Sequence, residues 1–89
     1  MNMHMKKDFS NSKGTMAADM AATTNRVCKL IYESGLSDRE IGELMGLTSQ
    51  TINKWRHGNG LPDMENFFML SRILGIRMDD FFVVRSNNY

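Results

Sequence analysis

A run of hydrogen-bonding side chains near the middle of the 89-residue chain is the part of the sequence best suited to chemistry. Its polar residues recur at intervals that place them on one face of a helix. The amides of Gln50 and Asn53 each combine a donor and an acceptor, and Lys54 adds a charged donor. Such groups favour recognition through hydrogen bonds. The face consists of Ser49, Gln50, Asn53, Lys54 and His57.

The residues that catalysis requires are scarce. The chain contains two histidines, His4 and His57, and one cysteine, Cys28. A nucleophilic cysteine needs a base beside it, and Cys28 has no histidine nearby in the sequence. We find too few ligands for zinc, no paired carboxylates in a pocket-forming context, and no glycine-rich phosphate loop after a strand. The sequence therefore predicts a protein that is not an enzyme and has no metal or cofactor.

Length, charge and cysteine content bound the class of protein. A chain of 89 residues is expected to form one domain, and a net charge of +1 does not by itself indicate a polyanionic partner. A single cysteine excludes an internal disulfide and is consistent with a reducing cytoplasm. No apolar run approaches the roughly 18 residues that span a membrane, and Met1 to Lys7 lack the apolar segment of a secretory signal.

Two short helices must position the polar face. Ser37 and Glu40 have the spacing of a capping box at the start of the first helix, and Gly46 suits its left-handed end. Gly42 lies among the apolar residues, where a side chain would hold a neighbouring helix away. The predicted apolar face of this helix is Ile41, Leu44 and Met45.

The second helix follows after one tight turn. Leu47 is expected to plug the turn, and Thr48 to cap the helix. Ile52 and Trp55, three residues apart, form its buried side, opposite the polar face.

This order of apolar and small residues resembles the phage-repressor (Xre/Cro-type) helix-turn-helix family. The likeness continues through Gly58, Pro62 and the segment from Phe67 to Phe82, and covers roughly residues 26 to 83. It implies an all-α fold, a compact five-helix bundle of the lambda-repressor-like DNA-binding type with a flexible N-terminal tail. The residues that carry the resemblance are Ile41, Gly42, Met45, Gly46, Leu47, Ile52 and Trp55.

The remaining elements follow from periodicity and caps. We expect a flexible tail over residues 1–15, the domain over residues 16–84, and a polar C-terminal tail over residues 85–89. Thr15 would cap a first helix from Met16 to Ser34, although residues 16–22 could form a separate turn.

A fourth helix is expected from Met64 to Leu74, and a short fifth helix would carry Phe81 and Phe82. The hydroxyl of Ser71 is expected to bond to a carbonyl one turn earlier. The predicted core-facing stripe of the fourth helix is Met64, Phe67, Leu70, Ser71 and Leu74.

The resemblance implies that the second helix of the motif enters the major groove of duplex DNA. Ser49, Gln50 and Asn53 would then contact base edges, and Lys54 would reach a guanine or a phosphate. The basic N-terminal tail is either a further DNA contact or an unstructured start. The full set of predicted DNA-binding residues is Thr48, Ser49, Gln50, Asn53, Lys54, Arg56, His57, Arg39 and Ser37.

Two positions depart from the family pattern. Asp38 occupies the place where the family often has a phosphate-binding Gln, so we transfer that role to Ser37 or Arg39. The family also often pairs an Arg on its first helix with a Glu near the end of the recognition helix. Here those places hold Ile31 and Arg56, and Arg56 is therefore expected to be free to contact phosphate.

Surplus apolar residues in the second half predict a partner surface. The economical interpretation is a homodimer through Phe68, Met69, Ile73 and Phe82; the alternative is that Met16 to Ala22 fold back and cover them. The predicted function is a sequence-specific transcriptional regulator, a dimeric repressor that occupies an operator. The alternative is a protein-interaction module of the same fold, such as an antitoxin or a regulatory adaptor.

Overall fold

The computed structural model describes residues 16–86. Four α-helices and a two-stranded sheet make up this part of the chain, and a 3₁₀ helix lies between the last helix and the last strand. The elements are β1 (Met16–Ala18), α1 (Met20–Ser34), α2 (Asp38–Met45), α3 (Ser49–Arg56), α4 (Met64–Leu74), the 3₁₀ helix Met78–Phe81 and β2 (Val84–Ser86).

Local capping sets the start of every α-helix. The four residues that precede the helices each accept a hydrogen bond from the backbone N–H three positions on, which satisfies one of the free amides of the first turn. At Ser37 the predicted capping box is confirmed, because the Glu40 carboxylate also accepts from the Ser37 N–H at 2.8 Å. The caps are Asp19, Ser37, Thr48 and Asp63.

The first helix begins later than predicted. Its start at Met16 with Thr15 as the cap is wrong, because α1 starts at Met20 and the Asp19 carboxylate accepts from the Ala22 N–H at 3.0 Å. Residues 16–18 form β1, which pairs antiparallel with β2. Arg85 therefore lies in a strand and not in a polar tail. The predicted N-terminal tail, residues 1–15, is outside the described residues.

The fifth helix is a single 3₁₀ turn. Met78–Phe81 contains four residues, and Phe82 already has extended dihedrals (φ −96°, ψ 133°) that lead toward β2. The five-helix count is therefore wrong for the described residues, because the residues after the 3₁₀ turn are extended and pair with β1 as β2.

One apolar core joins the helices to the 3₁₀ turn. The Phe67 ring contacts the rings of Phe81 and Phe82, with centroids 5.3 and 4.9 Å apart. Two residues predicted on core-facing stripes are exposed: Leu44 at 62% and Met64 at 78%. Each lies next to the buried stripe of its helix, and a short helix buries only a narrow stripe. The core residues are Val27, Ile31, Ile41, Ile52, Trp55, Phe67, Leu70 and Phe81.

The bounds predicted for α4 and the predicted hydrogen bond of Ser71 are confirmed. Asp63 caps the helix, and the Ser71 hydroxyl donates to the Phe68 carbonyl at 2.6 Å. Helix α4 ends at Gly75, and Ile76 packs against the core. Within residues 16–86, no helix has the length and apolar character needed to cross a bilayer.

Candidate nucleic-acid interface

A close backbone approach holds α2 and α3 at a fixed angle. A Cβ atom built on Gly42 would lie 2.6 Å from the carbonyl oxygen of Leu47 in the turn between the helices. The Leu47 N–H in turn donates to the Gly42 carbonyl at 2.9 Å. Gly42 was predicted to admit a neighbouring helix, and the group that it admits is the backbone of the turn itself. The side chain of Leu47 packs against the core, as predicted.

Helix α3 is anchored by its apolar side. Ile52 is fully buried and Trp55 is 5% exposed, so this side of α3 cannot contact a partner. The Cys28 thiol donates to the Trp55 carbonyl at 3.5 Å, and Gly58 N–H bonds to the same oxygen at 3.2 Å. Cys28 is therefore partly buried, and its thiol makes a structural contact with the backbone of α3.

The opposite side of α3 is open to solvent. Its exposed residues, together with Asp38 from the start of α2, line a shallow depression of about 370 Å³. Four of the five residues of the predicted polar face are therefore brought together as one surface, with side chains that donate, accept, or carry positive charge, while His57 lies outside it. The lining residues are Asp38, Ser49, Gln50, Asn53 and Lys54.

An unpredicted network ties the start of α2 to this face. The Asp38 carboxylate accepts from Asn53 Nδ2 at 2.9 Å and from Arg56 Nε at 2.6 Å. Arg56 also donates through its second terminal nitrogen to the Leu36 carbonyl at 2.7 Å. The prediction that Arg56 is free for phosphate is wrong, because the guanidinium pairs with the Asp38 carboxylate, although the family's partner position holds the apolar Ile31.

Asp38 is ionised in this network at neutral pH. Partial burial raises the pKa of its carboxyl, but the hydrogen bonds from Arg56 and Asn53 and the positive charge of Arg56 outweigh that effect and lower the pKa below its usual value. A signal for this network was present in the sequence: an acid at the start of α2, and an amide and a guanidinium three residues apart on α3.

The remaining predicted residues lie outside the depression. The Thr48 hydroxyl accepts from the Thr51 N–H at 3.3 Å as the α3 cap, and His57 Nδ1 lies 3.1 Å from the Asn53 carbonyl. Ser37 and Arg39 belong to α2 and its cap and do not line the depression. Arg39 forms an exposed ion pair with Glu43, with 3.2 Å between Nε and Oε2.

Within residues 16–86, no group of three or more His, Cys, Asp or Glu side chains is placed to hold a metal ion. No curated protein and no solved structure matches the chain. A protein-family model described as helix-turn-helix matches residues 29–81, well over half of the chain, and this match spans α2, the turn and α3. The chain therefore belongs to the Xre/lambda-repressor-type helix-turn-helix family of DNA-binding regulators.

Proposed function

We propose that this protein is a sequence-specific transcriptional regulator that binds duplex DNA as a dimer and represses by occupying an operator. The observation that supports the proposal best is the two-sided character of α3. Its apolar side is buried through Ile52 and Trp55, while its polar side is exposed at Gln50, Asn53 and Lys54. A helix of this kind can enter the major groove, where each base pair has a distinct pattern of donors and acceptors.

The roles of the side chains follow from their positions on α3. Ser49 and Gln50 occupy its first turn, the part of a recognition helix nearest the bases. Gln50 is exposed and suits a bidentate contact with adenine, and Lys54 suits a guanine or a phosphate. Thr48, His57, Ser37 and Arg39 are assigned to the sugar-phosphate backbone at the ends of the two helices.

Few cations are available for phosphate in this arrangement. The chain has a net charge of +1, and the Arg56 guanidinium is engaged by Asp38. Because each phosphate contact adds about 0.9 to the slope of log Kd against log salt concentration, we expect a shallow slope, corresponding to about two or three contacts per protomer.

A homodimer is proposed through the exposed surface of α4. Phe68 is 50% exposed and Met69 is 39% exposed, and they are neighbours on one helix, where a contiguous apolar patch favours a partner surface. Ile73 and Phe82 are partly buried and would extend this surface, although Phe82 also packs on Phe67. Two-fold symmetry would then give an inverted repeat with half-sites about 10 bp apart.

The alternative function is a protein-interaction module, such as an antitoxin or a regulatory adaptor. The observation in its favour is the combination of an exposed apolar α4 surface at Phe68 and Met69 with a DNA-facing side that has few free cations. The exposed α4 surface would serve both functions, so the experiment must separate DNA recognition from protein–protein association.

The test is selection of binding sites from a random duplex pool at about physiological salt. The wild type is compared with Gln50→Ala and with the matched control Asn25→Ala, which removes an exposed amide from α1. We expect an inverted repeat for the wild type and the control, and loss of preference at one base per half-site for Gln50→Ala. No enrichment by the wild type, even at low salt, would refute the proposed function.

The dimer has a separate test. Phe68→Glu places a charge on the proposed interface, and Tyr32→Glu places one on an exposed side chain of α1, a different helix. Light scattering should show a dimer for the wild type and Tyr32→Glu and a monomer for Phe68→Glu. If the wild type is monomeric and selects a single half-site, the DNA function stands and the dimer does not.

A further inference from the structure

We infer that Asp38 is a positioning residue for base recognition: it orients the amide of Asn53 so that an acceptor faces the DNA, and it withholds Arg56 from phosphate. The inference rests on the proposed function and identifies which base groups one position of α3 selects. It concerns a residue on α2 that is set apart from the recognition helix in the sequence but bonded to it in the fold.

Both oxygens of the Asp38 carboxylate are already in use. Oδ1 accepts from Arg56 Nε and Oδ2 accepts from Asn53 Nδ2, and the Asp38 side chain is 22% exposed. Arg56 is equally constrained, because it is 23% exposed and also bonds to the Leu36 carbonyl. Asp38 is thus placed to act through its two neighbours and not by contacting DNA itself.

The charge of Asp38 determines which atom of Asn53 faces inward. A carboxylate can only accept, so the Asn53 amide must turn its nitrogen toward Asp38. Asn53 is otherwise exposed, and among the described residues no donor bonds to its Oδ1. A free asparagine amide can rotate to offer either group, whereas here the orientation with Oδ1 outward is held by a charge-assisted hydrogen bond.

An outward acceptor requires a donor on the base. In the major groove, the donors are the exocyclic amino groups of adenine (N6) and cytosine (N4), while guanine and thymine present acceptors at the corresponding edge. The position contacted by Asn53 should therefore prefer adenine or cytosine on the contacted strand. Guanine or thymine at that position would place two acceptors opposite each other, and this should cost about as much binding free energy as a mismatched base pair in the site.

The same network also lowers the sequence-independent affinity for DNA. Arg56 lies in the last turn of α3 and would add a phosphate contact if it were released. With Asp38 ionised and bonded to it, the guanidinium is neutralised within the protein. Asp38 therefore acts in two ways toward specificity, since it sharpens one base preference and removes one unspecific cation contact.

The experiment measures base preference and salt dependence for Asp38→Asn in the full chain. An amide at position 38 has nearly the same shape but both donates and accepts, so Asn53 is free to present either group. The matched control is Glu65→Gln, which removes one negative charge from the first turn of α4, where Glu65 is exposed. Asn53→Ala identifies the contacted base position. Thermal unfolding confirms that each variant is folded at the assay temperature.

We expect the wild type to discriminate roughly tenfold or more against guanine and thymine at the position that Asn53→Ala relaxes. Asp38→Asn should reduce this discrimination to within about threefold and steepen the salt slope by up to about 0.9, because the charge of Arg56 is no longer neutralised by a carboxylate. Glu65→Gln should change neither the preference nor the slope in this way. Should Asp38→Asn fail to fold, Asp38→Glu retains the charge but displaces it by one methylene, and it should also relax the preference.

The other outcomes overturn the inference in distinguishable ways. If Asp38→Asn weakens binding to all sequences by one factor, with preference and slope unchanged, Asp38 is structural only. If the wild type prefers guanine or thymine at the Asn53 position, the orientation argument is wrong while the proposed function stands. If the wild type enriches no sequence, the proposed function and this inference fall together.

Discussion

Replacing Gly42 by valine tests whether the close approach between α2 and the turn that leads to α3 limits the stability of the motif. The Cβ of any residue at this position would lie 2.6 Å from the Leu47 carbonyl oxygen and 3.5 Å from two backbone carbons of the turn. The obstacle is backbone and not the end of a flexible side chain. The turn must therefore move, and it is held by the hydrogen bond from the Leu47 N–H to the Gly42 carbonyl at 2.9 Å.

The size of the effect follows from these distances. A carbon and a carbonyl oxygen in contact are usually about 3.3 Å apart or more, so the turn would have to move by about 0.7 Å. Overpacking of this kind costs about 1–3 kcal/mol, and weakening the turn hydrogen bond adds about 1 kcal/mol. Helix propensity changes by less than about 0.5 kcal/mol between glycine and valine. We expect Gly42→Val to lower the free energy of unfolding by about 2–4 kcal/mol.

The assay is urea unfolding at equilibrium, followed by the fluorescence of Trp55, which is buried in the core. The matched control is Glu43→Val, the same new side chain at the next position of α2, where Glu43 is exposed and makes only a surface ion pair with Arg39. The control should lose less than about 1 kcal/mol. If Gly42→Val and Glu43→Val are equally stable, the close approach at Gly42 does not constrain the motif and the argument is wrong.

Three further predictions concern single side chains. Thr48→Ala removes the α3 cap and should cost about 1 kcal/mol in urea unfolding, while Thr48→Ser should cost clearly less; equal losses would contradict the capping role. Thr23→Val removes the hydroxyl that accepts from the Val83 N–H at 3.0 Å, so the free energy of unfolding should fall by about 1–3 kcal/mol. Hydrogen exchange at the Val83 N–H should become faster in this variant and stay unchanged in the control Thr23→Ser. Unchanged exchange in Thr23→Val would refute the prediction. The lowered pKa of Asp38 means that its contribution to stability is present above its unfolded pKa, about 3.9, and is lost as the pH falls through the folded pKa. The stability advantage of the wild type over Asp38→Asn should therefore shrink below about pH 4, and a constant difference from pH 7 to pH 2 would contradict it.

The ends of α2, the start of α3 and the turn between them were predictable because their signals are local, whereas the start of α1 was not predicted correctly. Ser37 and Glu40, Thr48, and Gly46 each act within one turn of their own helix, and the structure places them as the sequence indicated. The same holds for the buried side of α3, since Ile52 and Trp55 lie three residues apart on one helix. Because that side is buried, the polar face on the opposite side of α3 must be exposed.

The strand pairing and the exposure of some apolar residues could not be predicted in this way. β1 pairs with β2 across almost the whole described chain, and a three-residue strand has no periodicity of its own. Leu44 lies on the apolar side of α2 by spacing, yet it remains exposed because the neighbouring helices cover only part of that side.

The sequence by itself determined the helix-turn-helix, since caps, glycines and apolar spacing act over a few residues and agree with one another. Only the tertiary structure decided how its polar residues are used. The bonds from Asp38 to Asn53 and Arg56 join residues 15 and 18 positions apart, and they exist because the close approach of Gly42 to the turn brings the start of α2 against the side of α3. Which guanidinium is paired, and which way an amide faces, depend on that crossing of two helices and on no local pattern.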